Sequence, residues 1–197
     1  MPVPLKILLI DTDPERAEAL ERNIREAGFS EVLRVTSGQN LSEIVERVSP
    51  DLVIIDMALP DRDTLEDIRG LSASAPRPVV MFSDKDDPAF VDAAIAAGVC
   101  SYNLSGVASQ DIKPIVTAAI ALFRRYQHVE TELAAAKALL AERRLLERAK
   151  AILMRDRKMT EPQAYRWLQR KAMNENRKLS QVVVEFVEKE ETDARRS

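Results

Sequence analysis

The amino-acid sequence predicts an α/β domain with a parallel sheet, followed by an all-α region. In the first 123 residues, five short segments predicted as strands alternate with segments predicted as helices. Residues 109–154 contain no glycine, and their single proline lies near the start, so one long helix is expected. The remaining residues have the apolar spacing of short helices, which indicates a small helical bundle.

Apolar runs such as residues 5–10 and 52–56 are typical of buried parallel strands, the first and third of five predicted strands. The five predicted strands cover residues 5–10, 32–35, 52–56, 78–83 and 100–104. Helices are predicted at 14–27, 40–48 and 88–97, with Gly28 and Gly98 as stop signals. Because strands that alternate with helices pair in parallel, this order predicts a doubly wound, five-stranded sheet with helices on both faces.

Polar residues stand at the ends of three predicted strands. They are Asp11, Asp13, Asp56 and Ser83. The carboxyl ends of parallel strands meet in one crevice, where such sheets bind ligands. Carboxylates in such a crevice repel each other unless a proton or a hard cation such as Mg²⁺ neutralises them. A single strand-end aspartate often only caps a helix, but the set of four favours a site.

This set of strand-end residues resembles the receiver domain of bacterial response regulators over the whole α/β domain. The resemblance implies a CheY-like fold, with Asp56 as the phospho-acceptor. The pocket around it would contain Asp11, Asp13, Ser83 and Tyr102, with Tyr102 as the aromatic switch residue. Asp11, Asp13 and Asp56 would be the ligands of a weak Mg²⁺ site.

Two positions depart from the receiver pattern. Thr12 stands where the family usually has a second acidic residue, and the stretch Tyr102–Gly106 lacks the usual lysine. Loss of a carboxylate weakens Mg²⁺ binding, and loss of an ammonium group removes a partner for a phosphoryl group. We therefore expect that a partner protein, rather than phosphorylation of Asp56, supplies the input.

The long helix carries an apolar stripe with 3-4 spacing. Its members are Ala119, Leu122, Tyr126, Val129, Leu133, Ala136 and Leu140. Such spacing is typical of a two-stranded coiled coil, so a homodimer is predicted. The alternative is that the stripe packs against the α/β domain of its own chain.

The net charge changes sign between the two halves. Residues 1–123 carry 11 basic and 20 acidic side chains, whereas residues 124–197 carry 18 basic and 12 acidic ones. An acidic half joined to a basic half suggests a regulatory domain coupled to a polyanion-binding domain. A solvated helix face would give the same count, so charge alone leaves both interpretations open.

Three helices are expected in the basic half. The first continues the long helix, and the second starts at Thr160, with Gln163 completing a capping box. The third is predicted over residues 179–187. Trp167 and Met173 are expected in the core of this bundle.

A long motif covers much of the basic half. It consists of Arg143-Arg144, Glu147-Arg148-Ala149-Lys150-Ala151-Ile152-Leu153-Met154, Glu161, Ala164-Tyr165, Leu168, Arg170, Ala172-Met173 and Lys178-Leu179. It resembles the ANTAR domain, a family of RNA-binding transcription antiterminators that often follows a receiver domain and a coiled coil. The resemblance implies three parts: a receiver-like domain (1–123), a coiled-coil linker (124–142) and an ANTAR domain (143–197).

The ANTAR resemblance implies that the basic half binds hairpins in leader RNA. The predicted RNA-binding residues are Lys150, Tyr165, Arg170, Lys171, Arg177 and Lys178, with Arg148, Arg155 and Arg166 as further candidates. The segments Arg77–Asp84 and Gly98–Tyr102 are similar to those of NasT-like regulators. This similarity implies control of nitrate and nitrite assimilation genes and a nitrate-sensing partner protein.

Other functional classes fit the sequence less well. A DNA-binding response regulator is an alternative, although residues 153–160 lack the glycine that is frequent in helix-turn-helix turns. A protein-interaction adaptor with a basic face is another. An enzyme is disfavoured because no glycine-rich phosphate loop or Cys/His nucleophile pair is present, and no cofactor is required. One cysteine and no signal-like stretch predict a cytoplasmic protein.

Overall fold

The computed structural model describes residues 4–36 and 41–196. The strands are β1 (Lys6–Asp11), β2 (Glu31–Thr36), β3 (Leu52–Asp56), β4 (Val79–Ser83) and β5 (Ser101–Leu104). The helices are α1 (Pro14–Glu26), α2 (Leu41–Val48), α3 (Arg62–Ser74), α4 (Pro88–Ala97), α5 (Ser109–Arg157), α6 (Glu161–Asn174) and α7 (Leu179–Arg196). The chain divides into two compact units, Met1–Gln127 and His128–Ser197.

The first unit contains the predicted doubly wound sheet. Its five strands are all parallel, in the order β2-β1-β3-β4-β5. One face of the sheet packs against α2, α3 and α4, and the other packs against α1 and the start of α5. Successive strand residues such as Val53 and Ile54 belong to opposite cores, and both are fully buried. This double burial explains why the central strands β1, β3 and β4 are continuous apolar runs.

Helix α3 was missed by the sequence prediction. Its N-cap is Asp61, whose carboxylate accepts a hydrogen bond from the backbone N–H of Thr64 at 2.9 Å. Leu65, Ile68 and Leu71 form its buried face. Their spacing of three residues marks this face in the sequence. The predicted start of α2 at residue 40 lies outside the described residues.

Gly98 ends α4 in a conformation that needs glycine. Its φ is +115°, and its N–H bonds to backbone carbonyls of α4. A Cβ at this position would lie 2.1 Å from Oγ of Ser72, whose hydroxyl donates to the carbonyl of Ala97 at 3.1 Å. The chain therefore turns tightly from α4 towards β5, as the predicted stop signal indicated.

The second unit is a helical bundle around one apolar cluster. Its buried residues are Ala149, Leu153, Ala164, Leu168, Val183, Phe186 and Val187. Gln163 completes the predicted capping box of α6, because its Oε1 accepts the backbone N–H of Thr160 at 2.8 Å. Trp167 is half-buried against Phe186, with ring centroids 5.5 Å apart. The prediction that Met173 lies in the core is wrong, since its side chain is 78% exposed.

Most of the apolar stripe on α5 is exposed in the single chain. Ala119 is buried in the sheet core, but Leu122, Tyr126, Val129, Leu133 and Leu140 are all exposed. Beyond its first residue, the large apolar side chains of the stripe are therefore exposed. In residues 4–36 and 41–196, no helix has both the length and the apolar character needed to cross a membrane.

Candidate functional site

The carboxyl ends of β1 and β3 bring two aspartates together. Asp11 and Asp56 are direct neighbours in the parallel register of these strands. Asp11 is fully buried and Asp56 is 3% exposed. Two carboxylates removed from water at this spacing need positive charge or hydrogen-bond donors nearby.

Arg16, in the first turns of α1, supplies that charge. Its Nη2 donates to Oδ1 of Asp11 at 2.7 Å, and its Nε donates to Oδ2 of the same carboxylate at 3.1 Å. Nη2 also donates to the backbone carbonyl of Asp56 at 3.1 Å, and Nε lies 3.5 Å from Oδ1 of Asp56. One guanidinium group therefore bridges the ends of both strands with the paired geometry that suits a carboxylate.

The third predicted acid, Asp13, has a different role. Its carboxylate is the N-cap of α1 and accepts the backbone N–H groups of Glu15 and Arg16 at 2.9 and 3.3 Å. Thr12 is exposed. Among the described residues, no group of three or more Asp, Glu, His or Cys side chains is placed to hold a metal ion. Mg²⁺ is usually held by one or two carboxylates together with water, and here Arg16 bonds both oxygens of Asp11 while Asp13 caps a helix, so few carboxylate oxygens are left for the ion.

Hydroxyl groups complete the pocket. Ser105, in the stretch that lacks the family's lysine, donates from Oγ to Oδ1 of Asp56 at 3.3 Å. Ser83 is fully buried at the end of β4, where its Oγ accepts the backbone N–H of Lys85 at 3.0 Å and lies 3.3 Å from the carbonyl of Ala58. The phenol of Tyr102 donates to the carbonyl of Lys85 at 2.7 Å. The predicted pocket residues thus surround the ends of β3, β4 and β5.

The buried carboxyl of Asp56 has a shifted pKa. Burial raises this pKa to about 6 from an ordinary value of 3.8. The Arg16 guanidinium lowers it, the Asp11 carboxylate raises it, and the hydrogen bond from Ser105 lowers it again. The hydrogen bond to Asp11 raises the pKa of Arg16, so this guanidinium stays charged.

A basic groove of about 690 Å³ lies in the second unit, between the end of α5 and the outer face of α6. Its described lining residues are Arg157, Lys158, Met159, Gln163, Arg166, Gln169, Arg170 and Met173. Four of these carry positive charge, and none of these described residues is acidic. The Cζ atom of Arg157 also lies 4.4 Å from the ring centroid of Trp167. This cation–π contact joins a lining residue of the groove to an aromatic side chain of the bundle core.

Several predicted RNA-binding residues lie elsewhere, in ion pairs within the unit. Nζ of Lys150 is 2.8 Å from Glu147 and 2.6 Å from Glu161, and this residue is only 8% exposed. Nζ of Lys171 is 2.8 Å from Glu175.

Two of the remaining predicted residues form ion pairs, and the side chains of the other five are exposed. Arg177 pairs with Glu185 and, at 3.4 Å, with Glu175. Arg155 pairs with Asp156 at 2.6 Å. The positions with exposed side chains on the outer face of α6 or just after it are Tyr165, Arg166, Arg170 and Lys178. Arg148 is exposed as well, on α5.

Two family models match the chain: the response regulator receiver domain over residues 7–117 and the ANTAR domain over residues 134–187. The transcriptional regulatory protein PdtaR of Mycobacterium tuberculosis is 31% identical over 186 residues, which cover 93% of this chain and 91% of PdtaR. The chain belongs to the ANTAR-domain response regulators. This family is regulatory rather than catalytic.

Further comparisons concern the receiver half of this ANTAR-domain response regulator. The DNA-binding response regulator MtrA of Mycolicibacterium smegmatis is 32% identical over 97 residues, or 49% of this chain and 42% of MtrA. The receiver domain of the response regulator NarL from M. tuberculosis superposes with a TM-score of 0.52 at 21% identity, covering 60% of this chain and 98% of that one. A response regulator from Thermotoga maritima gives a TM-score of 0.54 at 19% identity, covering 60% and 99%. These likenesses confirm the receiver fold.

Sequence reasoning missed Arg16, the residue that dominates the receiver pocket of this ANTAR-domain response regulator. The available signal is its position: it lies five residues after Asp11, in the first turns of the helix that follows β1. A long basic side chain there can reach back over the carboxyl edge of the sheet. The sequence also gave no indication that Ser105 donates to Asp56, because that contact joins residues 49 positions apart.

Proposed function

We propose that this chain is a transcription antiterminator whose second unit binds hairpins in leader RNA. The observation that carries the proposal is the basic groove on α6. It brings together Arg157, Lys158, Arg166 and Arg170 without an acidic residue among its described lining residues. Grouped cations of this kind bind phosphate backbones through charge and counterion release.

The outer face of α6 also offers groups that contact unpaired bases. Tyr165 is 38% exposed and Met173 is 78% exposed, although both are apolar enough to favour burial. Aromatic rings and guanidinium planes stack on the unpaired bases of RNA loops. Exposed apolar side chains can make van der Waals contacts with the same bases. Met173 lines the groove together with Arg166 and Arg170, so backbone and base contacts would be made by one surface there.

The proposal includes a dimer formed through α5. The stripe from Leu122 to Leu140 has coiled-coil spacing and is exposed in the single chain. A helix segment with this much exposed leucine is stabilised by pairing with a second copy. Two ANTAR domains held together could bind two hairpins at once, and their effective concentration would raise the overall affinity.

The division into a receiver-like domain (1–123), a coiled-coil linker (124–142) and an ANTAR domain (143–197) remains part of this proposal. So does the target: resemblance of segments 77–84 and 98–102 to NasT-like regulators supports nitrate and nitrite assimilation genes and a nitrate-sensing partner. The protein would act in the cytoplasm, where leader RNA is transcribed.

The test is the affinity of the full chain for a two-hairpin leader RNA, compared with a loop-scrambled RNA and duplex DNA. We expect preference for the intact hairpins. Arg166→Ala with Arg170→Ala should weaken binding by about tenfold or more and flatten the salt dependence. The matched control removes two exposed arginines of α5 outside the groove, Arg143→Ala with Arg144→Ala.

Each other result has a definite meaning. Equal affinity for duplex DNA and hairpin RNA would favour a DNA-binding regulator instead. Equal losses in the groove variant and the control variant would reduce the basic region to a general polyanion surface. If both the groove variant and the control variant bind the RNA with the affinity of the wild type, the groove is not part of the RNA interface.

A further inference from the structure

We propose that Arg16 is the resident cation of the receiver pocket and takes the place that a divalent metal ion would otherwise fill between Asp11 and Asp56. This inference concerns the receiver unit alone. It is independent of whether the second unit binds RNA. It rests on the contacts of one guanidinium group, on the burial of the two carboxylates and on the residue at position 12.

The contacts of Arg16 are those of a bridging cation. Both oxygens of Asp11 accept a hydrogen bond from Arg16, at 2.7 and 3.1 Å. The same group reaches Asp56 twice, through the backbone carbonyl at 3.1 Å and through Oδ1 at 3.5 Å. A metal ion between these carboxylates would have to compete for oxygens that are already bonded to a fixed positive charge.

The burial of the two carboxylates favours an internal cation that contacts both of them. Asp11 is fully buried and Asp56 nearly so, whereas the Arg16 side chain is 23% exposed. Guanidinium is always charged and less strongly hydrated than an ammonium group, so it enters such a pocket more readily. The pocket then keeps a compensating charge at any concentration of divalent ion.

The other oxygen donors are not arranged to attract a metal. Position 12 holds a threonine whose side chain is exposed, and the Asp13 carboxylate is occupied as the cap of α1. Ser105 donates its proton towards Asp56 and so supports the carboxylate without a metal. Mg²⁺ sheds its water reluctantly, and the one or two carboxylates that would hold it are here already bonded to Arg16.

The experiment is isothermal titration of MgCl₂ into four full-length proteins: the wild type, Arg16→Gln, Thr12→Asp and the control Arg22→Gln. Arg22 lies on the same helix and is exposed. We expect no saturable binding by the wild type and Arg22→Gln up to about 10 mM MgCl₂. Arg16→Gln should bind Mg²⁺ at least about tenfold more tightly than the wild type, since two carboxylates lose their cation.

Weak Mg²⁺ binding has two possible causes: the Arg16 guanidinium, or the absence of a carboxylate at position 12. The variant Thr12→Asp distinguishes between them. If Arg16 is the determinant, this variant still binds Mg²⁺ weakly, because the guanidinium remains in place. Tight binding by Thr12→Asp with Arg16 intact would overturn the proposal, as would saturable binding by the wild type. Equal, weak binding by Arg16→Gln and the wild type would also overturn it. Thermal unfolding with MgCl₂ and with KCl of equal ionic strength reports whether each variant is folded.

Discussion

Replacement of Asp56 by asparagine should stabilise the receiver unit at neutral pH and have little effect at acidic pH. The folded pKa of Asp56 lies above its unfolded value, so the folded state holds this proton more tightly. Stability is therefore lost as the pH rises from the unfolded pKa of 3.8 through the folded pKa of about 6. Asparagine does not ionise, so the variant lacks this loss.

The size of the effect follows from the two pKa values. A rise of the Asp56 pKa from 3.8 to about 6 on folding corresponds to a change of about 3 kcal/mol in the free energy of unfolding. The full difference is present above the folded pKa, and about a third of it has already developed at pH 4.5. The advantage of Asp56→Asn should therefore grow by about 2 kcal/mol between pH 4.5 and pH 8.

The assay is differential scanning calorimetry of the full chain and of Asp56→Asn at several pH values. Subtracting the two proteins at each pH cancels the other titrating groups. Asp61→Asn is a control of opposite sign, because hydrogen bonds from Thr64 lower the pKa of Asp61. Fluorescence of Trp167, the single tryptophan, reports the second unit and should not change. The reasoning would be refuted if the stability difference between Asp56→Asn and the wild type did not change with pH. It would also be refuted if Asp56→Asn were less stable than the wild type at pH 8.

Three further outcomes are expected. Leu133→Asp should make the protein monomeric in light-scattering measurements, because the charge would lie in the proposed seam of α5; a dimer of unchanged mass would place the interface elsewhere. Leu168→Ala should destabilise the second unit by about 2–5 kcal/mol in urea unfolding followed by Trp167 fluorescence, since this leucine is fully buried; a smaller loss would contradict the core assignment. Asp56→Asn should leave antitermination in a reporter assay nearly intact, and loss of regulation with normal folding would show that Asp56 carries the signal.

The receiver fold was predictable because its signals are local. The central strands are short apolar runs, and Gly28 and Gly98 mark the ends of two predicted helices. Helix α3 was not predicted, although Leu65, Ile68 and Leu71 have helical spacing in the sequence between β3 and β4. The strand-end positions of Asp11, Asp56 and Ser83 followed from the parallel topology alone.

The chemistry of the pocket was less predictable because it depends on tertiary contacts. The sequence places Arg16 on α1, but only packing of α1 beside β1 and β3 brings its guanidinium to Asp56, 40 residues away. The same limit applies to Ser105. Asp13 shows the opposite case: it stands at a strand end, but local geometry uses its carboxylate as a helix cap.

Charge counting has a related limit in the second unit. A count of lysines and arginines does not distinguish cations that pair within the fold from cations that face solvent. Lys150 bridges Glu147 and Glu161, and Lys171 pairs with Glu175, whereas Arg170 lines the groove. The Lys171–Glu175 pair has the i,i+4 spacing of a helix and could have been recognised in the sequence.

The same distinction connects the two units of the protein. In the receiver pocket, Arg16 forms ion pairs with two buried carboxylates, Asp11 and Asp56. Its charge therefore acts within the pocket. In the groove of the second unit, clustered cations face solvent among described residues that include no acid, so their charge remains available to a polyanion. On the proposal above, two aspartates that are already bonded to one guanidinium group would respond weakly to a metal-dependent phosphoryl donor. We therefore propose that contact with a partner protein supplies the input.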